Sequence, residues 1–295
     1  MMPGSALALP LDGSFWSAFA AMPASVQYTF AIMLGLAIGS FVNVVAHRLP
    51  IMMERAWEAE MAAARGEPEA ELPRYNLWAP GSACPHCGHA LRTRDNLPVL
   101  SYLVLRGRCR DCHAPIGWQY PVVEVIGALL AAASLAHFGP HAHALLGFAL
   151  CATLLALSAI DMRTGLLPDA ITLPLLWAGL LANVLGIAFV SLSDAVVGAI
   201  LGYLFLWSVY WLFRLVRGIE GIGHGDLKLL AAQGAWLGWQ ALPQMILIAA
   251  VTGAVLGLYA VLRGRMRFEE ALPFGPFLAA GGLLTLLGGN FLYAL

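Results

Sequence analysis

AHALLGFALCATLLALSAIDMR, residues 142–163, decides how this chain folds. From Ala142 to Ile160 there is no Asp, Glu, Lys or Arg. A bilayer-spanning helix needs about 20 mostly apolar residues, so this run predicts one span. Asp161 and Arg163 then arrive together at its end. Cytoplasmic ends of spans are rich in Lys and Arg, so Arg163 places that end, and Asp161 with it, at the cytoplasmic boundary.

Working outward, comparable apolar segments lie at 24–46, 121–138, 170–190, 194–213, 243–262 and 274–294. A shorter, weaker segment at 227–241 carries Lys228 and either spans or re-enters. The fold class is therefore an all-α polytopic membrane protein, with about eight transmembrane helices and a small cytoplasmic domain. Composition agrees: of 295 residues, 60% are hydrophobic and 11% charged. A soluble domain carries about 25% charged residues, so an ordinary globular protein is excluded. The net charge of −1 gives no sign of a nucleic-acid partner.

The first Lys or Arg is Arg48, so the N-terminus lacks the positive start of a cleavable secretory signal. The first span reads instead as an anchor with its N-terminus outside the cytoplasm. On that topology all fifteen arginines and Lys228 fall within 47–120, 161–169, 214–228 and 263–273. The opposite loops, near 138–142, 190–193 and 240–243, hold neither Lys nor Arg. Losing one span from the middle would invert the later loops, which favours eight spans over seven. Three parts result: an anchor at 1–47, a cytoplasmic domain at 48–120 and a transmembrane core at 121–295. In the cytoplasmic part, Glu54 to Glu71 reads as a short surface helix and linker, broken at Gly66-Glu67-Pro68. No internal repeat stands out.

The cytoplasmic part also holds Cys84-Pro85-His86-Cys87 and Cys109-Arg110-Asp111-Cys112, separated by 21 residues. A C-x-x-C pair lets two thiolates converge on one ion, and two pairs complete a tetrahedral sulfur site. Cytoplasmic thiols stay reduced, which argues against disulfides. Zinc suits four sulfurs, and a closed four-sulfur site has no open position for substrate, so its role is structural. His86, His89 and His113 lie close enough to substitute, but Cys84, Cys87, Cys109 and Cys112 already saturate the ion. Cys151, alone in its apolar run, reads as core packing.

Ionisable groups in spans are costly and point to function. Asp161 closes the third span, and Asp226 follows Gly221-Ile222-Gly223-His224-Gly225 at the start of the sixth. Two carboxylates brought together can share one proton, leaving one base to activate water and one acid to protonate a leaving amine. The glycines would let the backbone approach a substrate. Asp169 and Asp194 read as N-caps. Glu124 pairs with an arginine of the cysteine module or lines the site, and His224 reads as a loop residue in contact with substrate. Spacing alone leaves two functions open. One is peptide hydrolysis by Asp161 and Asp226. The alternative is a proton-coupled membrane transporter with a zinc-stabilised cytoplasmic domain. A transporter would carry internal repeats and acids near the midplane, whereas these acids cluster at one face.

The ordered motifs resemble the type IV prepilin peptidases over residues 35 to 280. They are Gly39-Ser40-Phe41-Val42-Asn43-Val44 running on to Arg48-Leu49-Pro50, then Asp95-Asn96-Leu97-Pro98 and Leu105-Arg106-Gly107-Arg108-Cys109. Tyr120-Pro121-Val122-Val123-Glu124, Leu167-Pro168-Asp169, Gly223-His224-Gly225-Asp226 and Pro273-Phe274-Gly275-Pro276-Phe277 follow. Intramembrane proteases of the presenilin type share only the G-x-G-D core. The resemblance implies an aspartic peptidase of the bacterial inner membrane with catalytic Asp161 and Asp226. Its substrates would be type IV prepilins and pseudopilins of type II secretion, cut after a glycine on the cytoplasmic side. Members with the four-cysteine module also methylate the new N-terminus from S-adenosylmethionine, whose contacts no motif here assigns. The chain departs from the family pattern at Gln119, where an arginine is common, and in a longer acidic stretch at 51–75. The partners implied are these pilins and membrane lipid, with no nucleic acid.

Overall fold

The computed structural model describes residues 13–67, 73–218, 223–265 and 272–293. Among these residues there is no β-strand; the only extended pairings are two isolated bridges, Ala83 with Ala90 and Arg108 with Pro115. The chain divides into two compact units, Tyr28–Ala132 and a second made of Met1–Gln27 with Ala133–Leu295.

The helices are α1 (Gly13–Ala20), α2 (Ala24–Ala64), α3 (Leu100–Val104), α4 (Gln119–Phe138) and α5 (Ala142–Thr164). They continue with α6 (Asp169–Val184), α7 (Leu192–Arg217), α8 (His224–Leu237), α9 (Leu242–Leu262) and α10 (Gly275–Gly288). Eight of them, α2 and α4–α10, fall on the eight apolar segments. Five are long and apolar enough to cross a membrane: α2, α4, α5, α7 and α9. The chain is thus a multi-pass membrane protein. The other three have 16, 14 and 14 residues, for α6, α8 and α10. Fourteen residues rise about 21 Å, short of a hydrocarbon core of about 30 Å. Two of these expected spans, 170–190 and 274–294, end early: α6 stops before the left-handed Gly186, and α10 stops at Gly288.

In the Tyr28–Ala132 unit, α2 is a single helix of 41 residues that runs through Pro50. The separate surface helix expected from Glu54 is therefore the continuation of the first span. Pro68 to Glu71 lie outside the described residues. Small residues let α2 approach α4: a Cβ on Gly35 would lie 2.5 Å from the Gly127 carbonyl, and one on Gly39 2.7 Å from the Glu124 Cα. This is the close G-x-x-x-G packing of membrane helices. Lower on α2, Arg48 is buried and donates to the Asn76 carbonyl at 3.0 Å. Arg55 stacks on Tyr75 at 4.6 Å. These two arginines hold the 73–79 segment along the helix.

In the other unit, α8 is the centre. Ten of its fourteen residues are buried, among them every residue from Leu229 to Trp236. It packs against α6, α7 and α10. Gly234 of α8 meets Gly198 of α7 backbone to backbone, and Gly202 one turn on faces Leu230. Side chains then bond across to neighbouring backbones. Gln233 donates to the Leu278 carbonyl at 3.0 Å, Trp236 to Leu175 at 2.9 Å, and Asn183 of α6 to Ala235 at 2.9 Å. Because other helices shield α8, its residues need not be apolar, which explains the weak segment that still carries Lys228 and Gln233. Cys151 is fully buried, as expected of a core cysteine.

Candidate active site and metal centre

Four helix ends meet around Asp161 and Asp226. Asp161 lies in the last turn of α5, which Gly165 closes in the left-handed conformation by donating to the Asp161 carbonyl at 2.8 Å. The chain then turns through Leu166-Leu167-Pro168 into α6. Asp226 lies in the first turn of α8, its N–H bonded to the Gly223 carbonyl at 3.1 Å. Both aspartates are buried, at 4% and 7% exposure.

Gly275 opens α10 and donates its N–H to Asp161 Oδ2 at 2.9 Å. Unpaired N–H groups at a helix start suit a carboxylate. A Cβ at residue 275 would stand 2.7 Å from that same oxygen and 3.1 Å from Leu167. A Cβ at residue 225 would stand 2.7 Å from the Cβ of Leu167. Leu167 is thus wedged between the glycine that holds Asp161 and the glycine that precedes Asp226. Asp226 Oδ1 is buried without a hydrogen-bond partner among the described residues. A buried carboxylate oxygen without a donor is open to a water or a substrate group.

Beside the pair, Lys228 Nζ bonds both carboxylate oxygens of Asp169, at 2.7 and 2.6 Å. Asp169 is therefore not the expected N-cap: it is the first residue of α6 and makes no capping bond there. Asp194 is not the N-cap of α7 either. Ser191 caps, accepting from the Asp194 N–H at 3.1 Å, and the Asp194 carboxylate takes bonds from Trp239 and Gln240 at 3.0 and 2.9 Å. His224 is helical rather than a loop residue, with its ring 4.9 Å from that of Tyr210. Gly221 and Ile222 lie outside the described residues. Gly275, Leu167 and Asp169 stand in motifs quoted from the sequence, but their contacts with Asp161, Gly225 and Lys228 escaped sequence reasoning. The signal for Gly275 was a glycine between two phenylalanines at the head of an apolar run.

The four cysteines come together as expected. The Sγ atoms of Cys84, Cys87, Cys109 and Cys112 all lie within 4.8 Å of one another, so the group can hold a metal ion. Two edges measure 3.8 Å (Cys84–Cys112) and 4.0 Å (Cys87–Cys109). A regular tetrahedron with metal–sulfur bonds of about 2.3 Å has edges of about 3.8 Å, so the donors fit zinc. The two knuckles repeat each other 25 residues apart, a local repeat that the sequence pattern hid. Cys84 N donates to His89 O and Leu91 N to Ser82 O; Cys109 N donates to Ala114 O and Ile116 N to Gly107 O. Gly88 and His113 take the same left-handed turn after each pair. Backbone N–H groups, first that of Cys87 and then that of His86, pull the Cys84 thiol down to about 7.

His89 and Asp111 bridge the knuckles at 2.9 Å. Arg110 reaches the buried Asp95, and its hydrogen bonds hold that carboxyl below the usual carboxylate range. Among the described residues Glu124 pairs with no arginine; it accepts the Val99 N–H at 2.7 Å at the start of α3.

Residues 33–138 match the bacterial Peptidase A24 N-terminal domain, and residues 148–258 match the type IV leader peptidase family. A prepilin leader peptidase/N-methyltransferase of Burkholderia pseudomallei is 66% identical over 95% of this chain and 91% of its own length. The chain belongs to the type IV leader peptidase family. Prepilin leader peptidase/N-methyltransferases of Aeromonas hydrophila and Pseudomonas aeruginosa are 50% and 53% identical. They cover 90% and 88% of this leader peptidase, and 92% and 89% of themselves. No solved structure matches it. The transporter alternative finds no support in these relatives.

Proposed function

We propose that this leader peptidase removes the leader from type IV prepilins with Asp161 and Asp226 as its catalytic pair, and then N-methylates the new N-terminus. The observation that carries the peptidase reading is the pair itself. Two buried carboxylates, from helices far apart in sequence, are brought to either side of Leu167 where four helix ends meet. One carboxylate is ionised and takes a proton from water as the water attacks the scissile carbonyl. The other is protonated, and gives its proton to the leaving amine as the peptide bond breaks. The Gly275 N–H keeps Asp161 in place throughout. The cut follows a glycine, on the cytoplasmic side, and pseudopilins of type II secretion are processed alike.

The protein sits in the bacterial inner membrane with its N-terminus periplasmic and its cysteine module cytoplasmic, as the arginine distribution supports. The peptidase core is 121–295. The module within 77–120 binds one structural zinc through Cys84, Cys87, Cys109 and Cys112, which fixes the knuckles and supplies no open coordination position. The relatives' names imply a methyl donor, and the family resemblance makes it S-adenosylmethionine.

The test is incubation of purified Asp161→Asn and Asp226→Asn proteins with a prepilin, with mass spectrometry of the product. Each should remain in the membrane and yield no mature N-terminus. Near-normal processing by either would remove that aspartate from the mechanism.

A further inference from the structure

The short helix α3 buries none of its residues. Leu100, Leu103 and Val104 are 56%, 64% and 68% exposed, and Leu97 just before them is 48% exposed. In a water-facing module that apolar surface would have no purpose, since large exposed apolar patches mark sites of contact. Its height is fixed by one bond. The Val99 N–H, at the head of α3, donates to Glu124 at 2.7 Å. Glu124 lies five residues past the first residue of α4, about 7.5 Å along a helix axis. At that level α4 presents exposed Val122, Val125 and Ile126, a stripe that continues to Leu129. The apolar face of α3 is thus level with the lipid-facing stripe of a transmembrane helix in the same compact unit. In the sequence that flanks α3 on both sides, Arg94, Arg106 and Arg108 are exposed. Of the acids here, Glu124 holds the Val99 N–H, and Asp95 is buried and already bonded to Arg110.

We propose that α3 and Leu97 rest in the cytoplasmic leaflet and seat the cysteine module on the membrane, with Arg94, Arg106 and Arg108 against anionic phospholipid headgroups. Apolar side chains below a basic rim are the pattern of segments that lie in the interface, inserted about 5–10 Å. Glu124 acts here as a tether that holds α3 at this depth. An apolar substrate segment is the competing occupant, and charge separates the two: a basic rim suits phosphate headgroups and repels a basic leader.

The experiment places the photoreactive residue benzoylphenylalanine at position 103 of the full chain, in nanodiscs of phosphatidylcholine with or without phosphatidylglycerol. Position 129 is the lipid-facing control. Position 58, exposed and about 28 Å beyond Gly39 along α2, is the aqueous control. Metal content checks that the module is folded, and position 100 serves where 103 disturbs it. Position 103 should give phospholipid adducts at a yield close to that at 129, rising with phosphatidylglycerol, while 58 gives none. Absence of lipid adducts at both 103 and 100, or their loss on adding a prepilin in favour of adducts to that prepilin, would overturn the proposal.

Discussion

Replacing Gly275 by alanine probes the geometry of the aspartate pair without removing either acid. The new Cβ would stand 2.7 Å from Asp161 Oδ2 and 3.1 Å from Leu167. To open that contact to a tolerable 3.0–3.4 Å, the carboxylate must retreat by about 0.3–0.7 Å. A misplacement of about 1 Å at a reacting centre costs roughly 100-fold, so in proportion this shift costs roughly 4- to 25-fold. That is about 1–2 kcal/mol of transition-state stabilisation. The alanine keeps its N–H, so the bond to Asp161 is stretched and not lost. The assay is kcat/KM for a prepilin-derived peptide on purified protein, beside Gly288→Ala, where an added Cβ meets nothing within 4 Å. Gly275→Ala should fall into that range with metal content unchanged, and Gly288→Ala should match the parent. Full activity in Gly275→Ala, or an equal loss in both, would refute the reasoning.

Cleavage should have a bell-shaped pH profile and survive metal chelation, because the pair needs one carboxylate ionised and one protonated; a flat profile, or activity restored only by added metal, contradicts this. Lys228→Ala should change stability by no more than about 1 kcal/mol, since its partner Asp169 is 55% exposed on its side chain. It should still lower kcat with KM unchanged if the bond sets the tilt of α8, and exchanging the two residues should recover part of the loss. Cys84→Ser should release the metal and expose 77–120 to protease, with methylation falling further than cleavage; metal analysis and mass spectrometry of the N-terminus read both. Asp95 is held below its ordinary range by Arg110, so its stabilising effect is present above about pH 4 and lost as pH falls below it. Asp95→Asn should accordingly weaken metal retention at neutral pH, measured by competition with a chelator.

The helices and the cysteine cluster were legible in the sequence because each is written locally. Apolar runs long enough for a bilayer identify α2, α4, α5, α7 and α9, and two C-x-x-C pairs admit few geometries. Contacts made across the fold were not legible. Gly275 bonds a residue 114 positions away, and Lys228 one 59 away. Asp169 and Asp194 sit where caps belong, yet distant donors claim their carboxylates. The length of α2 was hidden by a drop in hydropathy at Arg48, which marks where a helix leaves lipid and says nothing of where it ends. The G-x-x-x-G spacings at 35–39 and 198–202 were present in the sequence, but only a partner helix gives them meaning.

The paired knuckles have a consequence for how the module can break. Each contributes one buried thiol, Cys84 or Cys109, and one exposed thiol, Cys87 or Cys112. Neither half owns enough donors for a closed site, so an ion bound between them turns the intervening chain into a loop closed at its base, like a clasp. A peptide bond cut inside that loop would leave two fragments still fastened by the metal, whereas stripping the metal would let both halves drift apart with the chain intact.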